Sequence, residues 1–202
     1  KEGYLVMITK HGVIKKTSLA DFGNVRKNGI IAITLKEKDE LQWVGLSSGE
    51  DQVILTTLEG MSIRFKESDV RAMGRGASGV TAIRLKGKDE VTSLNIISKE
   101  LAKTAKLLVV MYKCHGKKTT ISEHKTQQRG GSGVKTAKIG EKTGKLISAH
   151  IIIDDTDLFV LSAKGQMIRT TLDSVRSASR DTQGVKLMSL SAGDKIIGSI
   201  CL

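Results

Sequence analysis

Four times along this chain an apolar run meets a polar glycine turn and resumes, and each time a second glycine follows ahead of another short run. The first instance is Tyr4-Leu5-Val6-Met7-Ile8-Thr9, a turn at His11-Gly12, then Val13-Ile14-Lys15-Lys16-Thr17. The second spans 52–57, Glu59-Gly60 and 62–65; the third spans 107–112, His115-Gly116 and 118–120; the fourth centres on Lys164-Gly165. Short β-favouring runs on either side of such a turn read as hairpins. The turn glycines stand 48, 56 and 49 residues apart, and the second set, Gly29, Gly79, Gly133 and Gly184, is spaced by 50, 54 and 51. A fourth run follows each, at 41–46, 91–97, 146–153 and 196–200. A period near fifty residues built from four short strands is that of propeller blades. The expected fold is therefore all-β and propeller-like, with four-stranded antiparallel blades at about 1–50, 51–100, 101–154 and 155–202 forming one domain or a fragment of one.

Helices have little room in this pattern. The Thr/Ser-plus-acid stretches at 17–21, 66–69, 119–123 and 170–174 permit one helical turn each, because none continues at helical period. Proline is absent, so glycine, Asn and Asp must make the turns. Cys114 and Cys201 lie far apart without metal or redox spacing, which fits a reducing cytoplasm. No run of 18 apolar residues and no signal-peptide pattern is present, so a soluble, cytoplasmic protein is expected; the start at Lys1 reads as an excised piece or a processed end.

Charge then narrows the partner. The chain carries 33 Lys+Arg against 21 Asp+Glu, a net +12. Such an excess favours an acidic polymer or an anionic surface. A membrane surface is disfavoured, because no stretch sets basic residues on one helical face against apolar ones on the other. Aromatics are 3% of the chain, too few for stacking on single-stranded bases, which leaves the backbone of double-stranded DNA. The excess is uneven: residues 101–154 hold 11 basic and 3 acidic side chains, so +8 of the +12 belongs to the third unit.

That unit contains Gln127-Gln128-Arg129-Gly130-Gly131-Ser132-Gly133. Adjacent glycines let a backbone come close to a partner and turn its N–H groups toward phosphate oxygens. Arg129 would offer a fork of donors to a phosphate, with Lys125, Lys135 and Lys138 as flanking charges and Lys117 and Lys118 close by. Counterparts that could continue a phosphate track are Arg26, Lys27, Arg64, Lys66, Arg71, Arg75, Arg176 and Arg180, together with Lys15, Lys16 and Arg169. The plainer reading of each is a glycine turn with solvated charges beside it.

The stretch Leu46-Ser47-Ser48-Gly49-Glu50-Asp51-Gln52-Val53, with Arg64-Phe65-Lys66-Glu67-Ser68-Asp69-Val70-Arg71-Ala72-Met73-Gly74, resembles the C-terminal DNA-wrapping domain of bacterial DNA gyrase A and of its topoisomerase IV relative. The resemblance is strong over the first two repeats and weaker over the last two. It implies a β-pinwheel, a propeller-like ring whose blades exchange strands and whose basic rim bends duplex DNA. It also names the glycine-rich loop. The family's gyrase box runs Gln-Arg-Arg-Gly-Gly-Arg/Lys-Gly; Gln127, Arg129, Gly130, Gly131 and Gly133 match it, while Gln128 and Ser132 replace two basic residues. In the family the box usually lies in the first blade of a domain that often has six; here it lies in the third unit.

The resemblance further implies a noncatalytic module that presents DNA to a type II topoisomerase. ATP, magnesium and the DNA-cleaving tyrosine would sit in the rest of gyrase A and in gyrase B, with no catalytic residue, metal or cofactor in this chain, at the nucleoid. The alternatives are a propeller-like protein-interaction scaffold, or a topoisomerase IV type domain that binds DNA without strong wrapping. Two further signals point elsewhere. Gly74-Arg75-Gly76-Ala77-Ser78-Gly79 satisfies a dinucleotide-binding pattern, but a strand rather than a helix should follow it. Asp154-Asp155-Thr156-Asp157 could hold a hard cation and reads more simply as the link between the third and fourth units.

Overall fold

In the computed structural model, which describes every residue except Lys1, Asn24 and Arg26, four hairpins follow one another along the chain. They are β1 (Tyr4–Thr9) with β2 (Val13–Ser18), β4 (Gln52–Thr57) with β5 (Met61–Lys66), β8 (Lys106–Met111) with β9 (His115–Thr120), and β12 (Asp157–Ser162) with β13 (Met167–Thr171). A longer strand returns antiparallel to the first strand of each hairpin: β3 (Leu41–Ser47), β7 (Val91–Ile97), β11 (Leu146–Ile152) and β15 (Ile196–Cys201). Each returning strand carries a register shift near its start. Single 3-10 turns at Leu19–Phe22, Glu67–Asp69, Ile121–Glu123 and Leu172–Ser174 close the hairpins, as the sequence suggests, and a fifth at Leu101–Lys103 was not expected.

Three strands of two residues remain, β6 (Val80–Thr81), β10 (Val134–Lys135) and β14 (Val185–Lys186), and each leaves its own repeat. β6 pairs with β2, β10 with β5 and β14 with β9, so every one completes the preceding repeat's sheet. The sheet orders are β3-β1-β2-β6, β10-β5-β4-β7, β11-β8-β9-β14 and β13-β12-β15. The fourth sheet has three strands, not four, because the fourth repeat gives its short strand to the third sheet. The expected segment after Gly29 forms no strand.

Glycine is required at these joints by contact as well as by conformation. Gly79, Gly133 and Gly184 all have positive φ, at 93°, 73° and 72°. A Cβ on Gly79 or Gly184 would lie 2.5 Å from the carbonyl oxygen of Ile14 or Gly116, and one on Gly133 would fall on that of Ser62. The hairpin turns show the same constraint and correct one assignment. The left-handed turn positions are Gly12, Gly60, Cys114 and Gly165, with φ of 79°, 76°, 58° and 82°. The third turn residue is thus Cys114, whereas Gly116 is part of β9. A non-glycine residue at the turn two positions earlier drew the sequence reading to the nearest glycine.

The core lies between units. One cluster joins Val6, Ile8 and Ile14 to Val53, Leu55, Ile63, Phe65 and Ile83; the next two join the second unit to the third and the third to the fourth. Val53-Ile54-Leu55 is buried throughout, because both faces of that hairpin are covered, and so it reads as a continuous apolar run. The returning strands carry the stacking: a Cβ on Gly45 would strike Ile96, Asn95 Nδ2 donates to the Ala149 carbonyl at 3.2 Å, and His150 Nε2 meets Ser199 Oγ at 2.8 Å. Asp154 to Thr156 join β11 to β12, as the sequence suggests, and Asp157 pairs with Arg169 at 2.7 Å.

Gly133→Ala should lower stability by about 2 kcal/mol or more, because a backbone carbonyl must give way. Gly193→Ala shares the positive φ, 71°, but has nothing within 4 Å, so it should cost only about 1 kcal/mol. Urea unfolding midpoints of the two variants measure the difference.

Candidate nucleic-acid interface

Each of the last three units carries a loop from its 3-10 turn to its joint glycine: residues 71–79, 125–133 and 176–184. Parallel bridges fix these loops alike against the preceding hairpin, with Ala72 at Lys16, Thr126 at Arg64 and Ser177 at Lys118. Backbone bonds anchor the next residue along: Met73 N–H donates to Lys16 O at 2.8 Å, Gln127 to Arg64 O at 2.8 Å and Ala178 to Lys118 O at 2.9 Å. The repeat therefore puts Arg71, Lys125 and Arg176 at one structural position, exposed, one per unit. Arg75, Arg129 and Arg180 share a second position, half-buried.

The loops also bond to one another. Thr34 N–H donates to Ala77 O at 3.2 Å, Arg84 to Gly131 O at 2.8 Å and Lys138 to Thr182 O at 3.1 Å, which joins each unit's outgoing segment to the following unit's loop. Arg129 belongs to this seam. Its Nε donates to Asp69 O at 2.9 Å and its Nη1 to Thr81 O at 3.1 Å, so only part of its guanidinium faces outward. Arg180 Nη1 likewise donates to Lys135 O at 3.1 Å. Gly130 N–H is taken by Ala82 O at 2.6 Å, so the box backbone is not a free nest of donors.

Several sequence-selected cations point inward. Lys117 is 0% exposed, and its ammonium donates to the carbonyls of Ser179, at 2.5 Å, and of Arg180. Burial pulls its pKa down to about 8, with Glu123 and Asp181 opposing the shift. Lys15, its counterpart in the first unit, reaches Ala32 O at 2.7 Å and Arg75 O; the second unit has Ile63 there. Lys118 is also buried and donates to Leu172 O at 2.5 Å. Lys16 donates to Glu67 O at 3.3 Å and pairs with the Glu67 carboxylate at 3.5 Å. Arg64 is half-buried, with Nη1 shared between Ile121 O and His124 O at 2.8 and 3.1 Å and Nε on Gln52 Oε1 at 2.6 Å. Lys117, Lys118 and Arg64 therefore leave the phosphate track. A cation whose donors are held by carbonyls of the next unit cannot reach DNA without breaking the joint between units.

What remains at the surface is Lys27, Lys66, Arg71, Lys125, Gln128, Lys135, Lys138 and Arg176, with Gln127, Ser132 and the box glycines half-buried beside them. Arg26 lies outside the described residues. Lys135 is within 3.9 Å of Asp181, an exposed pair of little energetic consequence. No group of three or more potential metal ligands occurs among the described residues.

Sequence reasoning missed His124. It is buried between Arg64, Lys117 and Arg180, with Nδ1 at 3.0 Å from Ser62 Oγ and Nε2 unpartnered. Burial first, then the three cations, pushes its pKa down to about 4. The signal for it existed: the repeat places Val70 and Val175 at the same position, so a histidine there should be a core residue.

A family model described as DNA gyrase C-terminal domain, beta-propeller, matches residues 3–48, 51–98, 116–153 and 156–202. The A subunit of DNA gyrase from Mycolicibacterium smegmatis is 42% identical over 196 residues, covering 96% of this chain and 23% of its own length. Its counterpart from Staphylococcus epidermidis is 39% identical over 193 residues, with 96% and 21% covered. The chain thus spans less than a quarter of these relatives. Among solved structures, a DNA gyrase A C-terminal domain superposes with a TM-score of 0.87 at 26% identity, covering 99% of this chain and 66% of that one. A DNA topoisomerase IV C-terminal domain gives 0.93 at 22% identity, covering 100% and 62%, and shows the shared fold.

The buried imidazole makes stability depend on pH. Between its folded pKa of about 4 and the ordinary 6.5, the unfolded state binds a proton that the folded state refuses, so stability is present above this window and is lost as pH falls through it. From about pH 7 to about pH 5 the loss from His124 should be roughly 2 kcal/mol. Urea midpoints across that range should fall steeply for the native chain. His124→Gln should flatten the fall, leaving the part due to His150, whose pKa burial also lowers.

Proposed function

The chain belongs to the DNA gyrase C-terminal domain family, and on that footing we propose that it binds duplex DNA along the edge carrying its loops and bends the duplex across successive units. The observation that carries this reading is the recurrence of Arg71, Lys125 and Arg176 at one position of three consecutive, rigidly joined units. Bending a short duplex costs on the order of 1 to 6 kcal/mol, so it requires cationic contacts spread along a curved surface rather than gathered at one point. A repeated unit supplies them at equal structural intervals.

In this reading the exposed cations make contacts to phosphates, with little base readout, because nothing on this edge is shaped to enter a groove. Lys135 and Lys138 reinforce the third unit, where the box lies. Arg129 and Arg180 act chiefly on the chain itself, holding each loop to the joint behind it. The module guides DNA for a type II topoisomerase whose cleaving tyrosine, ATP site and magnesium belong to the remainder of gyrase A and to its ATP-using partner, in the bacterial cytoplasm. The second reading is a domain of the topoisomerase IV type that binds DNA without strong wrapping, and what supports it is the neutral Gln128 and Ser132 at two box positions that are basic in the family.

The test is the salt dependence of duplex binding. Each phosphate contact contributes a slope of about 0.9 to the logarithmic fall of affinity with salt. Replacing Arg71, Lys125 and Arg176 together with Ala should therefore make the slope shallower by about 2 to 3, measured by fluorescence anisotropy on a labelled duplex. Lys117→Met should leave the slope unchanged, because that ammonium is held inside the protein. An unchanged slope in the triple variant would refute the assignment of these cations.

A further inference from the structure

Between the second and third units, inside the array, a cavity of about 310 Å³ opens where the second unit's outgoing segment passes the third unit's short strand. Its base continues the core. Met61 and Ile63 stand two apart in β5 and so point to one face, where Ile63 is buried in the cluster shared with the first unit. Ile83, 1% exposed, belongs to the same cluster, and Leu85 packs at its edge. Met61, Ile83 and Leu85 together line the cavity, so the apolar interior reaches the surface here instead of ending beneath a polar layer.

The rim is cationic. Lys135 is the cross-strand partner of Met61, which sets its ammonium above the same face. Arg84 and Lys86 line the other wall; both are exposed, and neither takes part in an ion pair among the described residues. The two acids at the cavity are already engaged. Glu59 pairs with Lys145 at 3.1 Å, and Asp89 Oδ1 accepts the N–H groups of Glu59 at 3.0 Å and Glu90 at 2.9 Å. Ser132 lines the cavity as well, with a short side chain that leaves the space open.

This pairing of an apolar base with an edge cation belongs to one joint. At the joint before it, Val13 faces Thr81, which carries no charge. At the joint after it, His115 faces Lys186 across a wider cleft of about 730 Å³ lined also by Lys113, Glu141, Lys142 and Asp194. Only between the second and third units do both halves of an amphiphilic site occur together.

We propose that this cavity binds a small organic anion, an aryl carboxylate or sulfonate, whose apolar body lies on Met61, Ile83 and Leu85 and whose charged head meets Lys135 and Arg84. The volume is at the lower end of ligand pockets, which begin near about 300 Å³ and combine an apolar lining with a few placed polar groups. A DNA phosphate brings no apolar group to the base, so the site is distinct from the phosphate contacts of the cationic edge. Lys135 is common to both, and the test therefore contains no DNA.

Titration of naphthalenesulfonate into the isotope-labelled chain, followed by NMR, tests this against two controls: naphthylmethanol, which has the body without the charge, and sulfate, which has the charge without the body. The sulfonate should give saturable shifts at the methyl groups of Met61 and Leu85 and the amides of Ser132 and Lys135. Naphthylmethanol should bind about tenfold more weakly, and the double variant Arg84→Met with Lys135→Met should weaken the sulfonate by about the same factor, two partly exposed charge contacts being lost in each case. Both replaced side chains are exposed, so the urea midpoint of that variant should match the native one. Ser132→Phe, which fills the cavity, should abolish the shifts. Absence of saturable shifts, equal binding of naphthylmethanol, the same methyl shifts with sulfate, full affinity in the double variant, or shifts as large at Arg71, Lys125 and Arg176 as at the cavity overturns the proposal.

Discussion

No sheet that has four strands is completed by its own repeat. The two-residue strand led by a positive-φ glycine passes each time to the sheet before it, and the structure depends on that transfer. A unit removed from its neighbour would lose an edge strand and half the apolar cover of its hairpin. Stability is thus held at the joints, in the three clusters that each draw on adjacent units. The same transfer fixes how one unit sits on the next, because the short strand and the loop before it leave the glycine no room to shift against the opposing carbonyl. A chain with modest local structure, short strands and no long helix thereby acquires a defined order of units and a defined spacing of whatever each unit displays.

Positive charge is used in two ways that composition does not separate. Lys15, Lys16, Lys117 and Lys118, with Arg64, are joint material: their side chains feed carbonyls of the next unit's 3-10 turn or loop. Arg71, Lys125 and Arg176 stand outside and remain available to a polyanion. The third unit's surplus of +8 therefore overstates its surface charge, since two of its 11 cations lie inside. His124 follows the same logic of burial. It stays neutral because burial first, and then three neighbouring cations, disfavour a fourth positive charge.

Much of this was legible in the sequence because repetition turns weak local signals into a strong one. The four hairpins, the joint glycines, the single helical turns and the all-β array follow from spacing, and the resemblance supplied the strand exchange. Two things were hidden. The turn at Cys114 was misplaced by two residues, because a cysteine at φ 58° breaks the rule that a left-handed turn position shows glycine. The direction of the lysines was hidden because a lysine reads as surface wherever it stands. One clue was nevertheless available: Lys15-Lys16 and Lys117-Lys118 are adjacent in strands, so the two members of each pair must point to opposite faces, and hairpins covered on both faces leave neither side to water. The seam that draws Arg129 into the preceding unit depends on contacts roughly fifty residues distant and had no local signature.

Joined units that present cations along a curved path should bend a duplex around the chain. Ligating nicked circular DNA in the presence of increasing amounts of the chain, then removing the protein and resolving the topoisomers, reads that curvature directly. The linking-number distribution should shift in one direction and in proportion to the amount bound, with the shift diminished when Arg71, Lys125 and Arg176 are replaced. A distribution that stays unshifted while the circles are saturated with protein would contradict it.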